Sequence, residues 1–133
     1  RGFADGRSYN AYLLSKGERH IVFGGDTSYH ELFRPIGARG LRIDLAMMPI
    51  GAYDPWIRNH ANPEQALAMA DHLGARCILP MHWNTFIQSS EPRREPLERL
   101  RAALASAPER LALQTIGETW TAGGLPPSSA ATP

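Results

Sequence analysis

His20-Ile21-Val22-Phe23-Gly24-Gly25-Asp26-Thr27 is an apolar run that ends on two glycines, an aspartate and a threonine. Its apolar part reads as a strand buried on both faces. The glycines let the backbone turn sharply and set Asp26 just past the strand end. Upstream, residues 9–15 form another β-like run, and Lys16-Gly17-Glu18 between the two reads as a hairpin turn. Downstream, Thr27 or Ser28 is placed to cap a short helix over residues 29–36, with Leu32, Phe33 and Ile36 on one face.

The next stretches repeat the strand-then-helix alternation. Asp44-Leu45-Ala46-Met47-Met48-Pro49-Ile50 is a second buried strand, with Pro49 limiting pairing at its end. Residues 51–61 form a loop rich in polar and aromatic groups. Asn62-Pro63-Glu64-Gln65 then combines an N-cap, a proline at the first helical position, an acid at the positive helix end and a capping-box glutamine. Ala66, Leu67, Met69, Ala70 and Leu73 give the helical apolar stripe, and Gly74 stops it. Residues 76–81 form a third strand that delivers Met81-His82-Trp83-Asn84-Thr85-Phe86 into a loop. A last helix is expected from Glu95 or Pro96 to residue 105, with Leu97, Leu100, Ala103 and Leu104 inward, and one more strand over residues 111–115. The body spans residues 1–121, and residues 122–133 read as a flexible tail. Strands alternating with helices indicate an α/β layered domain.

Composition bounds the function. The 133 residues suit one small domain, and a 43% apolar share is enough for a core. The formal net charge is +1, and the arginines are scattered like solvated surface, which argues against a nucleic-acid partner. Cys77 is the single cysteine, so no intrachain disulfide forms, which fits a reducing, cytoplasmic setting. No apolar run approaches the ~20 residues of a membrane span. Arg1 stands in place of an initiator methionine, so the chain is expected to begin in mid-sequence or after processing.

Three polar residues follow predicted buried strands or lie in the next loop: Asp26, His60 and His82. In layered α/β proteins that edge binds ligands. A carboxylate and imidazoles are the donor types that suit zinc or another divalent ion. Each also has a plainer local reading. Asp26 equally serves as a turn organiser or helix cap, His60 as an ordinary loop histidine and His82 as a hydrogen-bonded core histidine. His20, His30 and His72 read as strand, helix-start and helix-surface residues. No Gly-x-Ser-x-Gly elbow and no phosphate-binding Gly-Lys-Ser/Thr loop is present, and Cys77 sits within an apolar strand where thiols are inert.

Taken in order, four motifs resemble those of metallo-β-lactamase-fold hydrolases. They are Ile21-Val22-Phe23-Gly24-Gly25-Asp26-Thr27, Asp44 through Tyr53, His60-Ala61-Asn62-Pro63-Glu64-Gln65-Ala66 and His82-Trp83-Asn84-Thr85-Phe86. The resemblance covers roughly residues 8–105, and the Asp44-to-Tyr53 stretch resembles a more restricted subgroup that includes N-acyl-phosphatidylethanolamine-hydrolysing phospholipase D and its bacterial relatives. It implies half of an αββα sandwich, the C-terminal half, with a two-metal, dinuclear zinc site at one edge, other divalent ions being alternatives. By resemblance Asp26 bridges both ions, His82 ligates one, and His60 is a non-ligand that acts on the substrate. Tyr53 and Trp83 shape the substrate pocket, or else pack the core. The implied reaction is attack of a metal-bound hydroxide on a phosphodiester, ester or lactone of a small or lipid-like molecule. The family's His-x-His-x-Asp-His pattern is absent from the chain, and Asn84 stands where close relatives have glycine. The chain alone is therefore expected to be inactive and to partner a missing N-terminal half of the domain. The rival expectations are a non-catalytic binding or packing module that pairs with a separate chain, and a nucleic-acid-processing member of the same fold.

Overall fold

The order of elements follows from that alternation. In the computed structural model, which describes residues 10–115 and 117–122, strands β1 (Tyr12–Lys16) and β2 (Arg19–Phe23) form the hairpin. Helix α1 (Arg34–Gly37), strand β3 (Ile43–Pro49), helix α2 (Pro63–His72), strand β4 (Cys77–Met81) and helix α3 (Glu95–Ala103) follow. The strands make one sheet in the order β1-β2-β3-β4, antiparallel at the hairpin and parallel from β2 onward. Two consecutive strand–helix–strand units thus point the C-terminal ends of β2, β3 and β4 at one edge.

Helix α2 forms as its sequence dictates. The Asn62 side chain accepts from the Gln65 N–H (2.9 Å), and the Gln65 side chain accepts from the Asn62 N–H (3.1 Å). Gly74 follows in the left-handed conformation (φ 65°), which glycine adopts without a Cβ clash. Ala66, Met69, Ala70 and Leu73 are buried against Val22, Ala46, Met48 and Ile78 of the sheet and against Leu97, Leu100 and Leu104 of α3 and its cap. One sheet face and the helices above it therefore make the core.

The other face is apolar and lies outside that core. Cross-strand pairing lines up Tyr12, Phe23, Met47 and Leu79 in one row, and Leu14, Ile21, Leu45 and Cys77 in the next. Leu45 is buried by its neighbours, whereas Tyr12 and Leu14 are more than half exposed. The expectation that the His20 strand is buried on both faces does not hold: only Val22, on the helix face, is buried. An apolar sheet face of this kind, with β1 at its edge, drives association. The chain is expected to self-associate in sedimentation at micromolar concentration; a monomer with a sharp denaturation transition would contradict this.

Other expectations shift in detail. The helix after β2 starts at Arg34 and not at residue 29, so Phe33 enters the core but Leu32 stays 74% exposed. Pro35 fixes the helical φ only from that point. Ala103 faces solvent, while Leu104 is buried. Residues 111–115 make only an isolated bridge between Leu111 and Ile78. Of the anticipated tail, residues 123–133 lie outside the described residues. The arginines are not all independent surface groups. Asp44, fully buried at the N-terminal end of β3, pairs with Arg19, Arg42 and Arg76 at 3.3–3.6 Å, and its second oxygen accepts from the His20 N–H. A buried carboxylate persists only when its charge is met in this way.

Candidate metal-ligating site

The parallel strands deliver three loops to one edge. After β2, Gly24 approaches β3 so closely that a Cβ there would lie 2.9 Å from Met48 Sδ, and Gly25 turns the chain at φ 68°. The positive φ at Gly25 selects glycine, and at Gly24 the Met48 side chain would have to give way to any Cβ. Asp26 follows, exposed, at the mouth of a cavity of about 810 Å³. The loop after β3 contributes Ala52, Trp56, Arg58, Asn59 and His60, and the loop after β4 contributes His82 and Gln88. Asp26, His60 and His82 thus line one cavity.

The two histidines are fixed by their backbones. The His60 N–H donates to the Trp56 carbonyl (3.0 Å), and the next N–H, of Ala61, donates to the Thr27 carbonyl (3.2 Å). His82 is the first residue past β4 and adopts φ 59°. A left-handed residue other than glycine is uncommon and carries strain. The rings stack with centroids 5.2 Å apart and planes 20° from parallel. Nδ1 of each ring is buried without a hydrogen-bond partner. Buried ring nitrogens without protein partners are the atoms a metal ion or a substrate would satisfy.

Gly51 shapes this arrangement from below. A Cβ at Gly51 would come 2.5 Å from the His82 carbonyl and 3.1 Å from Trp83 Cβ, both parts of the turn that aims the His82 ring. Gly51→Ala is expected to displace that turn and cost about 1–3 kcal/mol in overpacking. The imidazole NMR signals of His82 should move while those of His20, at the opposite sheet end, stay. Unmoved His82 signals would contradict this packing.

Asn84 also lies in the left-handed region, at φ 57°. Asparagine tolerates that conformation better than most residues.

Tyr53 and Trp83 lie elsewhere. Trp83 packs against the core and lines an adjoining cavity of about 240 Å³ that shares Ala52, His82 and Gln88 with the larger one. Tyr53 is buried, donates its hydroxyl to Glu95 (2.7 Å) and carries the Arg99 guanidinium 4.9 Å above its ring. Burial, then the hydrogen bond to Glu95, raises its pKa far above the ordinary tyrosine value. Arg99 also binds Glu64 of α2 at 2.7 and 3.0 Å. Burial raises the Glu64 carboxyl, but the Arg99 hydrogen bond, a backbone hydrogen bond and the Arg99 charge together outweigh it and the net shift is downward. Tyr53 therefore ties loop to helices.

The cavity residues that the sequence does not single out are Thr27, Ser28, Trp56, Arg58, Asn59 and Gln88. Three of them belong to the polar and aromatic stretch before His60, whose composition is the available signal. Among the described residues, no three His, Cys, Asp or Glu side chains are grouped to hold a metal ion. Asp26 and His82 offer two donors, fewer than a closed zinc shell needs. Among the same residues no helix is long and apolar enough to cross a membrane.

Comparison with known proteins agrees with the fold. The model of the beta-lactamase superfamily domain matches residues 6–83. An uncharacterized protein of Mycobacterium tuberculosis is 45% identical over 87 residues, which are 61% of this chain and 23% of that protein. The N-acyl-phosphatidylethanolamine-hydrolyzing phospholipase D 1 of Caenorhabditis elegans is 32% identical over 134 residues, covering 92% of this chain and 37% of that protein. The metallo-beta-lactamase fold protein YhfI from Bacillus subtilis superposes with a TM-score of 0.53 at 21% identity, over 71% of this chain and 36% of that one. The chain thus spans well under half of each relative. Its sheet, its helices on one face and its matched strands and turns make the chain a member of the beta-lactamase superfamily domain family, with the metallo-β-lactamase fold.

Proposed function

We propose that the chain is the C-terminal part of a metal-dependent hydrolase that cleaves a phosphodiester, ester or lactone. The observation that carries this reading is the convergence of Asp26, His60 and His82 on one cavity at the C-terminal sheet edge. Zinc, as a pair of ions, suits the donor set: a carboxylate that reaches two ions and a neutral imidazole for one. When bound, divalent ions supply a water that deprotonates near neutral pH and positive charge for the reacting oxygen. The remaining ligands come from sequence outside the chain. Its uncovered apolar sheet face fits packing against that second half of an αββα sandwich.

The chain's own residues divide the work. Asp26 and His82 would hold the ions, Asp26 through its carboxylate and His82 through a ring nitrogen. His60, stacked on His82 and lining the same cavity, directs a hydrogen bond at the substrate oxygen that gains charge. Arg58 lines the cavity as well. Its guanidinium gives an anionic group a bidentate partner, which favours the phosphodiester over a neutral ester or lactone. The non-catalytic packing module is the second reading, and the chain's two-donor site favours it only for the chain by itself. The zinc-loaded full-length protein is expected to hydrolyse a phosphodiester faster than an ester or a lactone, and to lose activity on chelation. A fully metal-loaded protein inert toward all three classes would sink the proposal.

A further inference from the structure

We propose that Glu91 is a positioning residue that holds the His60 loop against the His82 loop. This inference rests on the reading of those histidines as site residues. Glu91 lies between the cavity loop after β4 and α3, nine residues beyond His82. Its carboxylate accepts three hydrogen bonds: from the Ala52 N–H at 2.6 Å, the Asp54 N–H at 3.0 Å and the Ser89 hydroxyl at 2.7 Å. The Ser90 N–H donates in return to the Asp54 carbonyl at 2.8 Å. Residues 52–54 and 89–91 are thus laced together by hydrogen bonds running both ways.

The consequence reaches the site through short paths. Ala52 adopts φ 63°, a strained conformation for a residue with a Cβ. The shortest hydrogen bond of the Glu91 carboxylate is to the N–H of that same residue. Ala52 also lies in the walls of both cavities, beside His82 in each. Six residues after Asp54 the same loop presents His60, whose ring stacks on His82. Without the tie, the loop from Gly51 to His60 would rest on the Tyr53–Glu95 hydrogen bond, the single Ser90–Asp54 backbone hydrogen bond and the Ala61–Thr27 hydrogen bond. Among the described residues Glu91 has no salt-bridge partner, so the clamp is built from neutral donors alone. Burial raises its carboxyl, but the Ser89 hydroxyl and the backbone N–H groups of Asp54 and Ala52 outweigh that and lower it overall. The acceptor therefore stays ionised throughout the neutral range.

Carboxylate-accepting hydrogen bonds of this kind are among the stronger ones in proteins, and Glu91→Ala removes three at once. The experiment is NMR on the full-length protein and on its Glu91→Ala and Glu91→Gln variants, with and without zinc. In Glu91→Ala the Ala52 and Asp54 amides should exchange at least tenfold faster, and the ring contact between His60 and His82 should vanish. Amide signals of the α2 core residues Met69 and Ala70 should not change, which separates loop release from unfolding. Glu91→Gln keeps an acceptor oxygen and should preserve part of the ring contact, a graded rescue that bulk destabilisation would not give. An intact ring contact in Glu91→Ala overturns the proposal. If the α2 signals change too, Glu91→Gln decides, and a wild-type ring contact with unprotected amides in that variant overturns the proposal. The zinc arm judges the metal reading separately: rings that respond to Glu91 substitution but not to zinc in the wild-type full-length protein would leave the clamp standing and remove the metal role.

Discussion

Asp26→Ala in the full-length protein is expected to strip most of the bound metal and abolish hydrolysis, whereas His82→Ala should release about one of two ions. The difference follows from ligand type. In the proposed roles the Asp26 carboxylate would serve both ions, so its loss would open two coordination shells, while the His82 imidazole would serve one. His60→Ala should keep its metal and slow turnover on the order of a hundredfold, about 3 kcal/mol, the size of a lost hydrogen bond to a developing oxyanion. The shared cavity makes the three variants directly comparable. Metal analysis paired with kinetics on a phosphodiester checks the set. Loss of metal from His60→Ala would make His60 a ligand, and full metal with full activity in all three would remove the roles assigned to them.

Ile78→Ala should severely destabilise the chain while touching no site residue. Ile78 is fully buried, stands second in β4 opposite Ala46 and forms the bridge to Leu111. Truncating a buried isoleucine costs about 2–5 kcal/mol, the lost transfer free energy plus the cavity left behind. Whole domains are stable by only about 5–15 kcal/mol. A sheet with one apolar face outside the core starts near the low end, so the variant is expected to be largely unfolded at 25 °C. Urea denaturation followed by circular dichroism measures it. A midpoint within experimental error of the wild type would show that β4 is not packed as described.

Much of this fold is legible in the residues, for identifiable reasons. Helix α2 is readable because its cap, proline, stripe and stop all agree, and each appears in the structure. The hairpin and strands β3 and β4 are readable from short apolar runs bounded by turn residues. The helix after β2 is misplaced by periodicity because Leu32 and Phe33 look alike in a periodic pattern, and only tertiary packing decides that Phe33 goes in. The Asp44 cluster is invisible in the sequence, since Arg19, Arg42 and Arg76 are brought to one carboxylate by sheet register alone.

The site divides along the same line. Asp26, His60 and His82 stand out because each follows a strand or lies in the loop after it, and parallel strands bring such positions to one edge. Tyr53 looks like a pocket residue by its nearness in sequence to that edge. Glu95 and Arg99, more than forty residues later, draw it away from the cavity. Glu91 gives no local signal, because its partners Ala52 and Asp54 act through backbone N–H groups that any sequence carries.

Anomalous diffraction at the zinc edge from crystals of the full-length protein tests the central claim most directly. The expected result is density within about 2.0–2.2 Å of an Asp26 carboxylate oxygen and, at one of the ions, of a His82 ring nitrogen, with His60 beyond bonding distance. Zinc bound away from both Asp26 and His82, or a zinc-saturated protein with no anomalous density in their cavity, would contradict it.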